Sequence, residues 1–332
     1  MRKRSPIAVT MFFLALFAIA FVVALQFGRK DDDTLRRTQV ALGTLIEIQV
    51  RDMERKAAWS AIDAAFAEVR RVDTLFSTYA EDGPVWKLNH DRDTLIEVPD
   101  EVFALMLRCD SLTRASDGAF DIALEPLIRE WGFKDQDPAV PSSEELTEAL
   151  QHSGWAHVRL EQPNRVHKSA DAMINFGAIA KGYAVDRAVS VLAREGVAEG
   201  LVNAGGEVRA TGGNWSIGIQ HPRSTSELAA VIDPQGRAVA TSGDYEQYFE
   251  QDGKRFHHIL DPATGLPARE CMSVTVLADD DVTADALATA VFVMGPRKGM
   301  EFMQHNPDIE GLIIDESGDE HATPGFAQFR TR

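Results

Sequence analysis

Between Thr283 and Ala290 the chain reads Thr-Ala-Asp-Ala-Leu-Ala-Thr-Ala, which puts Asp285 and Thr289 four residues apart on one face of a helix-forming run. A carboxylate and a hydroxyl stacked this way, joined by a backbone carbonyl from elsewhere, make a hard oxygen site that suits Mg²⁺ and leaves room for phosphate oxygens. The same pair also fits an ordinary helix start, with Asp285 favoured by the macrodipole and Thr289 buried. A second run, Asn175 to Asp186, sets small residues just ahead of a helix. Backbone groups left unpaired there come close to a phosphate or a metal, and Lys181 complements an anion. A glycine-rich turn with a surface lysine reads equally well, and the spacings match neither a dinucleotide fingerprint nor a Walker loop.

Three more segments crowd polar groups around glycines. Asn203-Ala204-Gly205-Gly206-Glu207 follows an apolar strand and brings backbone where side chains would obstruct. Ala240 to Tyr245 and His257 to Gly265 gather hydroxyl, carboxylate and imidazole groups at strand ends, where rigid scaffolds carry their chemistry.

The elements that must hold these segments are legible in outline. Gln39 to Val50 has the β-branched content of a first strand, broken at Gly43. Apolar residues at Ala61, Ile62, Ala65, Phe66, Val69, Val72 and Phe76 predict a core-facing helix over Ala57 to Phe76. A second helix is expected from an Asp100 N-cap to a stop at Asp117-Gly118, and a third from the Pro141 to Glu145 region to Gly154. Beyond Trp155, short strand-like runs dominate at 157–160, 200–203, 215–220, 229–233, 239–242, 256–260 and 273–278. Helical patterns interrupt them at Ala180 to Arg194 and Ala284 to Met294. Strand runs with inserted helices predict an α+β fold with a largely antiparallel sheet. No internal repeat and no long Pro/Gly/Ser linker divides it, so one catalytic unit over 37–332 is the simplest count.

Composition narrows the function classes. The 332 residues are 45% apolar, which suits a packed core. A net charge of -17 without a basic stripe argues against binding nucleic acid. Cys109 and Cys271 lack metal-ligand spacing and read as two buried, unpaired thiols. Arg2, Lys3 and Arg4 precede an apolar run from Ile7 to Phe27, about the ~20 residues that span a bilayer. The basic flank predicts a cytoplasmic N-terminus, residues 1–30 as a membrane anchor or signal segment, read as an uncleaved single-pass anchor for want of a clear cleavage site, and 31–36 as a solvated spacer. The remainder then faces the periplasm. No cysteine near residue 20 allows a lipid anchor.

Taken in order, Leu42-Gly43-Thr44, Ser77-Thr78-Tyr79, Gly118-Ala119-Phe120-Asp121, the 177–186 run, Asn203 to Gly206, the 241–245 run, His257 to Gly265 and Ala284 to Ala290 resemble the ApbE family of FAD:protein FMN transferases. The resemblance covers nearly all the chain after the anchor. It departs at Leu42, where the family often has methionine, and in lacking the acylated cysteine of many members. It implies a T-fold-like architecture with FAD in a cleft. It also implies Mg²⁺ held by the Ala178 carbonyl, Asp285 and Thr289, and a FAD site lined by Leu42, Tyr79, Ala119, Phe120, Asp121, Lys181 and Ile259. Asn203, Gly205 and Gly206 enter as supporting structure.

The implied reaction is attack by a Thr or Ser hydroxyl of a target protein on the FMN-side phosphorus, with AMP displaced, in which charge stabilisation does most of the catalysis. His257 is the candidate base because an imidazole titrates near pH 6.5, with Asp261 and Asp244 as alternatives. The implied acceptors are extracytoplasmic domains of membrane redox complexes, the sodium-pumping NADH:quinone reductase and its Rnf-type relatives. Three other readings compete: a Mg²⁺-dependent FAD pyrophosphatase giving FMN and AMP, a non-catalytic flavin-binding protein, and a membrane-held adhesion or assembly factor.

Overall fold

Alternation sets the first element. In a computed structural model that describes residues 34–133 and 138–331, Ile46, Ile48 and Val50 turn into the core while Arg36, Thr38 and Val40 face solvent. The expected single strand is therefore a hairpin, β1 (Leu35–Ala41) paired with β2 (Thr44–Arg51). Its two-residue turn puts Leu42 at φ 51° and Gly43 at φ 73°. Positive φ at both positions is the turn whose twist matches the flanking strands.

The long helix follows as α1 (Arg55–Phe76), then α2 (Pro84–His90), β3 (Leu95–Glu97), α3 (Asp100–Ala115), α4 (Glu125–Trp131) and α5 (Ser143–Gln151). Pro99 rather than Asp100 is the N-cap residue of α3. The Ser142 and Glu145 side chains form a reciprocal capping box that starts α5. Next come β4 (Val158–Glu161), β5 (Arg165–Lys168), α6 (Ala180–Arg194), β6 (Glu199–Ala204), β7 (Val208–Ala210), β8 (Ile217–Gln220) and β9 (Leu228–Ile232). The chain closes with β10 (Ala238–Gly243), β11 (Tyr248–Gln251), β12 (Lys254–His257), β13 (Cys271–Ala278), α7 (Asp281–Gln304), β14 (Glu310–Asp315) and β15 (Glu320–Ala322). The predicted helix ending at Met294 continues as α7 after a kink, where Gly295 sits at φ 77° and Pro296 restarts the turn.

Eight strands form the main sheet in the order β1-β2-β6-β7-β10-β13-β14-β15, with every neighbouring pair antiparallel. The α+β expectation thus holds. Helices α1, α6 and α7 lie side by side on one face, α1 over β1 and β2, α6 over β6 and β7, and α7 over β10, β13 and β14. The β8–β9 ribbon packs Ile217, Ile219 and Ile232 against Leu201, Val239 and Leu277 on the other face. The helix side holds two cores, and Leu42 packs against both. Cys109 in α3 and Cys271 in β13 are free and buried, as the sequence predicts. The apolar run Ile7 to Phe27 lies outside the described residues, among which no helix is long and apolar enough to cross a membrane.

Candidate active site

The site is built where α6 and α7 meet. Gly182 on α6 donates its N–H to Asp285 Oδ2 on α7 at 2.9 Å. A Cβ at Gly182 would lie 2.3 Å from the Asp281 carbonyl oxygen and 2.8 Å from Asp285 Cβ, so the approach requires glycine. Four residues on from Gly182, Asp186 accepts from the backbone N–H groups of Asp281 and Val282, each at 3.0 Å, and pairs with Arg209. That carboxylate caps α7 from the neighbouring helix, satisfying donors that a helix start leaves open. Thr289, one turn past Asp285, has its Oγ1 3.2 Å from Ser242 Oγ on β10. Ala178 lies in the turn leading into α6. Asn175 fixes this turn by accepting from Gly177 N at 2.7 Å and donating to Glu125 Oε2 at 2.5 Å.

Lys181, beside Gly182, carries its Nζ to 2.5 Å from Glu207 Oε1 and 3.9 Å from Glu246 Oε2. Burial opposes its charge, but Glu207, Glu246 and Asp285 outweigh burial and hold the ammonium protonated. Burial pushes Glu207 up to about 8 and Glu246 to about 7, against the pull of Lys181. It likewise raises Asp186, Asp281 and Asp285. Five carboxylates thus surround two cations, Lys181 and Arg209. Asp281 is fully buried, and both its carboxylate oxygens, like Glu207 Oε2, lack a hydrogen-bond partner. Among the described residues no three acidic, histidine or cysteine side chains converge on one point, so a divalent cation here would draw on single carboxylates with hydroxyl and carbonyl oxygens, and the orphaned oxygens of Asp281 beside Asp285 are donors of that kind.

The turn that supplies Glu207 locks the hairpin to the site. Asn203 Oδ1 accepts from Gly205 N at 3.1 Å and Gly206 N at 3.2 Å. A Cβ on Gly205 would lie 2.2 Å from Thr44 Oγ1, and one on Gly206 would lie 3.4 Å from the Thr241 carbonyl oxygen. The turn is therefore wedged between the Leu42–Thr44 corner and β10. Leu42 N donates to Asp73 Oδ2 on α1 at 3.2 Å, which anchors the corner.

His257, at the end of β12, is 5% exposed and stands edge-on to Phe292 of α7, ring centroids 5.5 Å apart. Its Nε2 lies 2.5 Å from the Ala268 carbonyl oxygen and must donate to it. Nδ1 is then the acceptor that faces Ile259 N at 3.3 Å. Burial pushes its pKa down. The two alternative bases are equally committed. Asp244 takes a two-pronged contact from Arg223 at 2.6 and 2.7 Å, and Asp261 accepts from Ala263 N at 2.9 Å and Thr264 Oγ1 at 3.0 Å. The turn ending at Gly265 is tied to α4 by Trp131 Nε1, 2.8 Å from the Gly265 carbonyl oxygen.

Asp121 also serves the backbone, accepting from Ala123 N and Trp155 N, each at 2.7 Å, and burial raises its pKa. Phe120 is fully buried, its N–H donating to Ser116 Oγ at 3.1 Å, and Ala119 is half-buried. Ile122 O accepts from Asn175 N at 2.7 Å, which joins this segment to the turn before α6. Tyr79 is 60% exposed at the end of α1. The fold thus gathers Lys181, Asp285 and Thr289 at one helix crossing, with Leu42, Ile259 and the 119–121 segment tied to it by the contacts above. Glu246 was not singled out from the sequence, nor were Asp281 or the capping role of Asp186. No local pattern marks an acid that acquires its partners from other elements.

The ApbE family model matches residues 42–313. A FAD:protein FMN transferase of Vibrio cholerae is 31% identical over 336 residues, covering 96% of this chain and 99% of that protein. One of Treponema pallidum is 32% identical over 312 residues, 86% of each. Among solved structures, the ApbE protein from Thermotoga maritima superposes with a TM-score of 0.85 at 37% identity, over 90% of this chain and all of that one. The flavin transferase ApbE from Vibrio cholerae gives 0.80 at 30%, over 90% and 99%. With the match running through every segment of the site and over most of the relatives' length, the chain belongs to the ApbE family.

Proposed function

We propose that this chain is an FAD:protein FMN transferase that uses Mg²⁺ to move the FMN half of FAD onto a Thr or Ser hydroxyl of a target flavoprotein, releasing AMP. The observation that carries the reading is the α6–α7 crossing, which sets a charged lysine and a hard-oxygen pair side by side in a buried acidic cluster. Family membership supports it.

Ala178 through its carbonyl, Asp285 and Thr289 are the residues we assign to the metal. Bound there, Mg²⁺ supplies charge neutralisation as the bond to AMP breaks. Lys181 offers a second positive charge to the pyrophosphate. Leu42, Tyr79, Ala119, Phe120, Asp121 and Ile259 are assigned to the rest of FAD. His257 can take a proton only at Nδ1 and only by releasing Ile259 N–H, so we assign it to hold the Ile259 loop. The acceptors we propose are extracytoplasmic domains of Nqr- and Rnf-type membrane complexes, reached by an enzyme anchored through Ile7 to Phe27 with its catalytic unit, 37–332, on the periplasmic side.

The test is incubation of the full chain in detergent with FAD, Mg²⁺ and a candidate acceptor domain, read by intact mass and by AMP release. A gain of one FMN phosphoester matched by AMP is expected. FMN and AMP without mass gain across a panel of acceptors would mean a pyrophosphatase, and bound FAD with neither product a binding protein.

A further inference from the structure

We infer that Glu246 is a positioning residue that shares Lys181 with Glu207, so that FAD binding is coupled to uptake of a proton by this three-membered cluster. The inference rests on the FAD reading above and adds a residue and a linkage to it.

Lys181 on α6 is the cation that two carboxylates already contact. The two differ in access. Glu207 is 1% exposed and at 2.5 Å holds the short contact, whereas the Glu246 side chain is 22% exposed and stands off at 3.9 Å. Asp285 faces the pair from α7, while on the other side Asp244 is already neutralised by Arg223 and the Tyr245 phenol is kept neutral by burial. Among the described residues no second cation offsets Glu246. A pyrophosphate carrying two negative charges that reaches Lys181 must therefore either repel Glu246 or see it protonated. The bonds are those of an acid–base equilibrium alone, one proton moving from solvent to a Glu246 oxygen. Burial has already raised Glu246 to about 7, which makes that proton available near neutrality.

The experiment measures the FAD dissociation constant of the full chain by flavin fluorescence, with EDTA present and no acceptor, from pH 6 to pH 8.5. Wild type is expected to weaken by about tenfold across this range, because a ligand that favours the protonated cluster loses affinity as the proton leaves. Glu246→Gln removes one of the two titrating charges on Lys181 and is expected to bind with a shallower profile, matching wild type at pH 6 and exceeding it at pH 8.5. Glu246→Asp keeps a carboxylate and is expected to restore the slope. A merely structural role would shift affinity by one factor at every pH. A Glu246→Gln slope parallel to that of wild type overturns this inference and leaves the FAD reading standing. Wild type that binds no FAD at any pH overturns both.

Discussion

Replacing Gly182 with alanine tests the helix crossing that carries the site. In an exposed helix interior this change favours folding by roughly 0.5–1 kcal/mol, since glycine loses the most backbone freedom. Here the new methyl carbon would lie 2.3 Å from the Asp281 carbonyl oxygen, against the 3.4 Å at which ordinary contact begins, so α6 and α7 must separate by about 1 Å. Separation strains a packed interface, at about 1–3 kcal/mol. It also lengthens the 2.9 Å bond from Gly182 N to Asp285, about 1 kcal/mol more. The steric and hydrogen-bond losses exceed the propensity gain, for a net destabilisation of about 2 kcal/mol. Urea unfolding reads it as a lower midpoint at unchanged slope. Asp285 and Thr289 travel with α7, so FMN transfer at saturating FAD should fall more than FAD affinity does. A Gly182→Ala midpoint equal to or above that of wild type would refute the reasoning, because propensity would then have won over contact.

Other expectations follow from the same geometry. Asp285→Ala should abolish Mg²⁺-dependent AMP release yet stay within about 1 kcal/mol of wild-type stability. It loses one hydrogen bond but removes a carboxylate from a cluster already rich in them. Wild-type-like transfer by this variant would rule out the metal assignment. With EDTA, stability should decline as pH rises from about 5 to 8. Glu207 and Glu246 hold protons in the folded state, with pKa about 8 and about 7, that the unfolded chain has shed above its own value near 4.5, so their contribution is lost across that window. Mg²⁺ should flatten the decline, and calorimetric unfolding at several pH values with and without the ion measures it. His257 has the opposite sign, since its folded pKa is depressed: its contribution is present above about 6.5 and lost as pH falls. His257→Gln should therefore reduce the acid-side slope of the same curves. Trp131→Phe removes the donor to Gly265 and should cost about 1 kcal/mol while loosening the Ile259 loop, seen as weaker FAD binding.

Local pattern was enough to find the helices. The 3.6-residue spacing of Ala61, Ile62, Ala65 and Phe66 marks α1, and α6 matches the predicted span from Ala180 to Arg194. The two thiols and the antiparallel sheet were also readable. Short strands such as β3, β5, β7 and β15, three or four residues each, escaped because such windows hold too few side chains for a period to register. The break at Gly43 in the run from Gln39 to Val50 is legible, but its being a hairpin turn is not, because a leucine at φ 51° gives no turn signal. In the site, Asp285, Thr289 and Lys181 stood in recognisable runs. The acids that hold Lys181 charged from outside its own helix, Glu207 and Glu246, come from distant points along the chain, and the Gly182 crossing and the sheet order bring them and Asp285 within reach.

The two buried thiols make the chain an unusually clean substrate for chemistry at introduced cysteines. Cys109 and Cys271 carry no disulfide, and burial raises the pKa of both, so neither presents a reactive thiolate to solvent at neutral pH. Reductant can be present throughout folding and assay without removing a cross-link. A single probe placed at exposed Val40 of β1 would report changes at the hairpin against a silent background.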